Sequence, residues 1–160
     1  MDTMKALVIF YSRTGTTKKV AGAISANFGC DLEEIIDTKD RSSVLGWLKS
    51  GIDTTLKKSS VIKEIKMNPT LYDLVIIGTP VWNNTLSSSI RTYLYQYKES
   101  FKRLAFFCTL EGSESKVFRE MELICGKKPL ALLKLRRKEV EKGEYMDKVR
   151  QLIVEINNKL

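Results

Sequence analysis

The chain has 160 residues, 43% of them apolar and 29% charged, with a formal net charge of +8 at pH 7 and no histidine. That length and apolar content predict one domain, residues 1–160, around one core. The missing histidine excludes Ser-His and Cys-His nucleophiles, and any zinc site that needs imidazole.

Taken in chain order, the first element is the unbroken apolar run Ala6 to Phe10, which predicts a strand buried on both faces of a parallel sheet. After Tyr11 the composition changes to Ser12, Arg13, Thr14, Gly15, Thr16 and Thr17, and helical spacing begins with Val20, Ile24 and Phe28. A strand that turns tightly into a helix leaves the helix's first amides without partners. Those amides, the helix dipole, four hydroxyl side chains and one arginine make a candidate phosphate cradle. No Gly-Lys-Ser/Thr closes it, and Gly15 is its only glycine, so it is neither a nucleoside-triphosphate loop nor a Gly-x-Gly-x-x-Gly turn. The plainer alternative is a helix N-terminus rich in Ser and Thr.

Cys30 to Asp37, carrying Asp31, Glu33 and Glu34, suits a second strand at a sheet edge. Between about Thr38 and Ser60, Val44, Leu48, Ile52 and Leu56 recur every fourth residue, with Trp47 nearby, which predicts an amphipathic helix. It either packs on the sheet edge or serves as a flap or dimer contact. Leu74 to Gly78 is a second fully apolar run and predicts a central strand, followed by Thr79, Pro80, Val81, Trp82, Asn83, Asn84 and Thr85 as a loop. Asn83 and Asn84 also suit the cap of a helix starting near Thr85, whose apolar face would carry Leu86, Ile90, Tyr93 and Tyr97. Leu104 to Leu110 is a third strand, overlapping a loop of Thr109, Leu110, Glu111, Gly112 and Ser113. Val117, Met121 and Ile124 mark a helix, Leu130 to Leu135 an edge strand, and Met146, Val149, Ile153, Ile156 and Leu160 a last helix.

Cys30, Cys108 and Cys125 are odd in number and widely spaced, as reduced cysteines of a cytoplasmic protein are. They offer no metal-ligand spacing. No signal segment is recognised near the N-terminus, and no run of about 20 apolar residues predicts a membrane span. Lys39 to Lys66 and Lys127 to Arg150 hold local charges of +4 and +5. The basic residues are mixed with acids and lack interleaved aromatics, which speaks against specific nucleic-acid binding and leaves an acidic protein partner open.

Strands alternating with helices imply an α/β fold, a parallel sheet with helices on both faces. Ligands of such sheets sit beyond the carboxyl ends of the strands, so the three loops should converge on one crevice. Here Ser-Arg-Thr-Gly-Thr-Thr resembles the flavin mononucleotide (FMN) phosphate loop of flavodoxins, and Ile-Ile-Gly-Thr-Pro-Val-Trp the loop holding the isoalloxazine ring. The resemblance runs from Lys5 to about Leu160. It implies a three-layer flavodoxin-like fold with five parallel strands in the order 2-1-3-4-5, and a cofactor site built from all three loops, Ser12–Thr17, Thr79–Asn84 and Thr109–Ser113. It also implies redox chemistry carried by FMN, with no catalytic side chain and no metal.

Three features depart from the family, one of them the segment from about Thr38 to Ser60 with Trp47. Glu111 stands where relatives often have a glycine pair, and the chain is basic where electron-carrying flavodoxins are acidic. A positive field favours reduced, anionic flavin, so the resemblance implies a higher potential than that of an acidic flavodoxin. Redox shuttling with protein partners, alone or as a homodimer, is the first expectation. An FMN-dependent NAD(P)H:quinone-type reductase and a flavin-free interaction module of the same fold stand beside it. A phosphorylation-switched receiver needs acids after the first strand, and Ser12-Arg13-Thr14 supplies none.

Overall fold

A computed structural model describes residues 3–38, 60–112 and 116–160. Strand β1 (Ala6–Phe10) is buried throughout and leads into α1 (Thr16–Phe28), which Gly29 ends in a left-handed conformation, its N–H bonded to Ser25 O. There follow β2 (Asp31–Glu34), β3 (Asp37–Thr38), β4 (Val61–Ile62), β5 (Leu74–Trp82), β6 (Thr85–Leu86) and α2 (Ser88–Tyr97). The chain continues through β7 (Leu104–Leu110), α3 (Val117–Cys125), β8 (Leu132–Arg136), α4 (Arg137–Glu141) and α5 (Met146–Lys159).

The parallel strands pair in the order β2-β1-β5-β7-β8, which is 2-1-3-4-5 when the parallel strands alone are numbered. Alternation along the central strands divides the core between the two faces. Leu7, Ile9, Val75, Ile77 and Phe106 pack with Ile90 and Tyr93 of α2 and Met121 of α3. Val8, Phe10, Leu74, Ile76 and Phe107 pack with Val20 and Ile24 of α1 and Val149 and Ile156 of α5. On the edge strand β8, Leu133 and Leu135 are buried while Leu132 and Lys134 face solvent.

Several boundaries differ from the sequence reading. The predicted strand Cys30–Asp37 is split: only Asp31–Glu34 pairs with β1, while Asp37–Thr38 turns away to pair antiparallel with Val61–Ile62. This small hairpin is fastened to α2, where Ser89 Oγ donates to Asp37 Oδ2 at 3.0 Å and Thr92 Oγ1 to Ser60 O at 2.6 Å. Leu86, assigned to a helix, lies in β6, which adds an antiparallel partner to β5. Helix α2 starts at Ser88, and its cap is Ser87, whose hydroxyl accepts from Ile90 N. The predicted helix around Trp47 lies outside the described residues.

Among the described residues no helix is long and apolar enough to cross a membrane, and no cluster of three metal-ligating side chains occurs. The three cysteines are free, and burial pushes the thiols up, to about 11 for Cys30 and about 12 for Cys108 and Cys125. Their sulfurs are therefore protonated, poor nucleophiles.

Tyr93 is wholly buried beside Tyr97 and Phe101, at ring-centre distances of 4.9 and 5.9 Å, and its hydroxyl meets no partner among the described residues. A buried hydroxyl without a partner loses its hydration for nothing. Tyr93→Phe keeps the ring and removes the unpaired group, so it is expected to stabilise the protein by about 1 kcal/mol. The urea midpoint checks this, and a lower midpoint for the variant rejects it.

Candidate cofactor site

The carboxyl ends of β1, β5 and β7 surround a cleft of about 400 Å³. Its first wall is the turn from β1 into α1. Ser12 Oγ accepts from the N–H groups of Gly15 at 3.1 Å and Lys18 at 3.2 Å, so this hydroxyl shapes the loop. Gly15 sits at φ 94° as the N-cap and provides no side-chain cap, and with Lys18 N–H taken by Ser12 the amides of Thr16 and Thr17 stay available at the start of α1. Thr17 Oγ1 bonds Thr109 Oγ1 at 2.8 Å, tying this turn to the end of β7. Of the four hydroxyls in the predicted cradle, Thr14 and Thr16 line the cleft without such a task.

The second wall is not the predicted loop. Strand β5 runs on through Thr79, Pro80, Val81 and Trp82, and the chain reverses at Asn83 and Asn84 into β6. Both asparagines have positive φ, 50° and 60°, the pattern of a type I′ hairpin turn rather than a helix cap. Thr79 is fully buried and does not line the cleft. Its hydroxyl accepts from Ser87 N at 3.0 Å and donates to Pro80 O at 2.8 Å, joining the hairpin to the start of α2. Beneath the hairpin, Arg91 bonds both Glu120 and Thr85 Oγ1, and Thr85 donates to Glu120 at 3.0 Å.

Trp82 is 39% exposed on this wall. Its ring meets Tyr11 edge to face, with centres 6.1 Å apart and planes at 85°. The Arg13 guanidinium carbon stands 5.6 Å from the Trp82 ring centre, within cation–π range. Arg13, expected to add a charge at the phosphate loop, lines the cleft and joins that loop to the aromatic wall. Tyr11 was not singled out by the sequence. Burial, and next the carboxylate of Asp37, push its phenol above the usual range.

The third wall is the end of β7 with the residues after it. Thr109 and Leu110, read from the sequence both as the end of the third strand and as part of the loop after it, are the last residues of the strand, and Glu111 and Gly112 follow them into the cleft lining. Ser113 lies outside the described residues. Arg137, the first residue of α4, also lines the cleft, and sequence reasoning missed it. It donates from Nη1 to Glu111 Oε1 and from Nε to Glu141 Oε1, each at 2.7 Å. Both carboxylates hold its proton more firmly, Glu111 first. The available signal was positional, since Arg137 follows the fifth parallel strand at the same rim. Of the predicted site residues in the described chain, Ser12, Gly15 and Thr79 are not part of the lining and the others line it.

No curated protein matches the chain in sequence. Among solved structures, it is similar to a flavoprotein of Lactobacillus acidophilus NCFM crystallised in complex with FMN. The identity is 25% over 88% of this chain and 98% of that one, with a TM-score of 0.60. It is also similar to a Bacteroides eggerthii protein assigned as a flavoprotein, 25% identical over 92% of this chain and 99% of that one, TM-score 0.66. An archaeal flavodoxin shares the fold at 16% identity, covering 98% of each chain with a TM-score of 0.61. The model of the flavodoxin family matches residues 5–134, which include the turn after β1, the β5–β6 hairpin and the end of β7, and the chain therefore belongs to the flavodoxin family.

Proposed function

We propose that the protein binds FMN in this cleft and works as an electron carrier. The observation that carries this reading is the pairing of two unlike ends in one cleft. One end offers the amides of Thr16 and Thr17 at the start of α1 and the hydroxyls of Thr14 and Thr16, which suit a phosphate dianion. The other presents the Trp82 ring with the backbone of Val81 to Asn84 and of Leu110 to Gly112, which suit a flat apolar ring with polar edges. The volume of about 400 Å³ falls in the range of small-molecule sites, roughly 300 to 1,000 Å³.

Bound FMN supplies the electron chemistry, taking up and releasing electrons singly or in pairs. The protein's share is binding, orientation and field. Among the described residues the charged side chains in the lining are Arg13, Glu111 and Arg137. Arginine keeps its proton and Glu111 stands out in solvent, so among the described residues the lining has no buried acid or base aimed at a substrate. That favours a carrier over a reductase with its own proton-transfer group. The net charge of +8 makes an acidic redox protein the natural partner, since opposite fields speed encounter.

The test is to add FMN to the purified protein. A yellow complex with quenched flavin fluorescence is expected, and a colourless preparation that takes up none removes the reading. Oxidation of reduced nicotinamide cofactor with a quinone would instead place the protein among the reductases. Trp82→Ala is expected to weaken FMN and riboflavin alike by about tenfold, the scale of one lost aromatic contact, about 1.4 kcal/mol. Fluorescence titration reads both constants, and an unchanged pair means that Trp82 does not meet the ring.

A further inference from the structure

Arg137 and Glu111 pair directly on the third wall of the cleft with no evident duty to the fold. Their side chains are 45% and 74% exposed, where an ion pair adds little to stability. They lie 26 residues apart in sequence and meet because β7 and β8 are neighbours, so that the loop after one reaches the helix after the other. Arg137 is shared between two carboxylates, Glu111 at the cleft and Glu141 one helical turn further on. Three linked side chains thus carry one surplus negative charge, at the rim of a protein whose overall charge is strongly positive.

Arg13 does not duplicate this role. It lies after β1, three strand spacings from β8 in the sheet order, about 14 Å at the usual interstrand distance. Its guanidinium is engaged by the Trp82 ring. Among the described residues that line the cleft, the cation at the β7 wall is therefore Arg137 and the anion is Glu111.

We propose that the Glu111–Arg137–Glu141 chain sets the reduction potential of the site, with Arg137 favouring the arrival of negative charge on the ligand and Glu111 opposing it. This rests on the FMN reading. The signs follow from Coulomb's law. Taking the charge from Glu111 removes a repulsion and leaves Arg137 nearer to full strength, so electrons are held more tightly. Neutralising Arg137 leaves Glu111 unopposed beside the ligand, so electrons are held less tightly. The basic balance of the chain alone implies a raised potential; the pair lets the protein hold that value in check at the ligand's edge.

The experiment uses the full chain loaded with FMN, comparing wild type, Glu111→Gln, Arg137→Gln and the double variant in redox titrations against reference dyes. Glu111→Gln is expected to raise the lower one-electron potential by a factor of three to ten in the equilibrium, about 28 to 59 mV, and Arg137→Gln to lower it by a similar factor. The double variant should fall between them. Melting temperatures should stay close to wild type, since an exposed pair contributes little to folding. Shifts of the same sign, or both below twofold, with FMN bound overturn the proposal and leave the FMN reading standing. A wild-type chain that takes up no FMN removes both.

Discussion

Gly78→Ala is expected to destabilise the protein by about 3 kcal/mol, the upper end of the usual cost of overpacking a core, and Gly78→Val by more. Gly78 lies in β5 directly beside Phe107 of β7, in parallel register. A Cβ built on Gly78 would stand 1.9 Å from Phe107 Cζ and 2.4 Å from each Cε. The ring covers the glycine's Cα and is itself wholly buried, packed in the core layer that includes Val20, Ile24 and Val149. It has nowhere to swing without displacing α1 or α5, so the strands must part instead. The same register carries both strands on to Pro80–Trp82 and Thr109–Leu110, which form two walls of the cleft. Urea unfolding measures the loss. The control is the Phe107→Ala background, where the space is free and adding Gly78→Ala should cost less than about 1 kcal/mol; such non-additivity marks a direct contact. A Gly78→Ala protein as stable as wild type rejects the account.

Much of this fold could be read from residue patterns, for a reason visible in the same strands. Ala6 to Phe10, Leu74 to Gly78 and Leu104 to Leu110 are apolar on both faces because each is covered by helices on both sides, and a strand so placed needs no alternation. The acids of Asp31 to Glu34 marked an edge for the converse reason. What the patterns could not show is pairing held by two residues a side. Neither Asp37–Thr38 with Val61–Ile62 nor Val81–Trp82 with Thr85–Leu86 has enough length to show a period. Asn83-Asn84 did carry a signal, since asparagine tolerates the left-handed region that a type I′ turn requires, but the same residues also suit helix caps.

The site was legible as three loops and illegible in its division of labour. Ser12 was counted among the phosphate's hydroxyls, whereas it accepts the loop's own amides. Thr79 was placed at the ring, whereas it is spent on joining the hairpin to α2. Which way a short polar side chain turns depends on the amides within its reach, and a sequence does not contain those. Arg137 was missed because its partner Glu111 is distant in the chain and only the β7–β8 pairing joins them.

Gly15→Val is expected to lower FMN affinity by about a hundredfold, close to 2.7 kcal/mol, while changing riboflavin affinity by less than threefold. Gly15 has φ 94°, where a β-branched residue is an outlier. A Cβ there would touch nothing, so the penalty comes from the backbone alone and not from a clash with the surroundings. To relieve it, the chain must leave the left-handed region, and the amides of Thr16 and Thr17 then rotate off the cleft. Ser12 would lose its bond from Gly15 N, at 3.1 Å now, in the same movement. A dianion bound by several backbone donors is sensitive to their convergence, because each bond to a charged acceptor contributes about 1.5 to 3 kcal/mol. Riboflavin lacks the phosphate, and on the proposed reading it would meet only the hairpin and the β7 wall, which the substitution leaves in place. Two fluorescence titrations on the variant, one per ligand, therefore separate the two ends of the cleft. Equal losses for FMN and riboflavin would mean that the loop supports the ring rather than the phosphate, and an unchanged FMN constant would take the phosphate away from the start of α1 altogether.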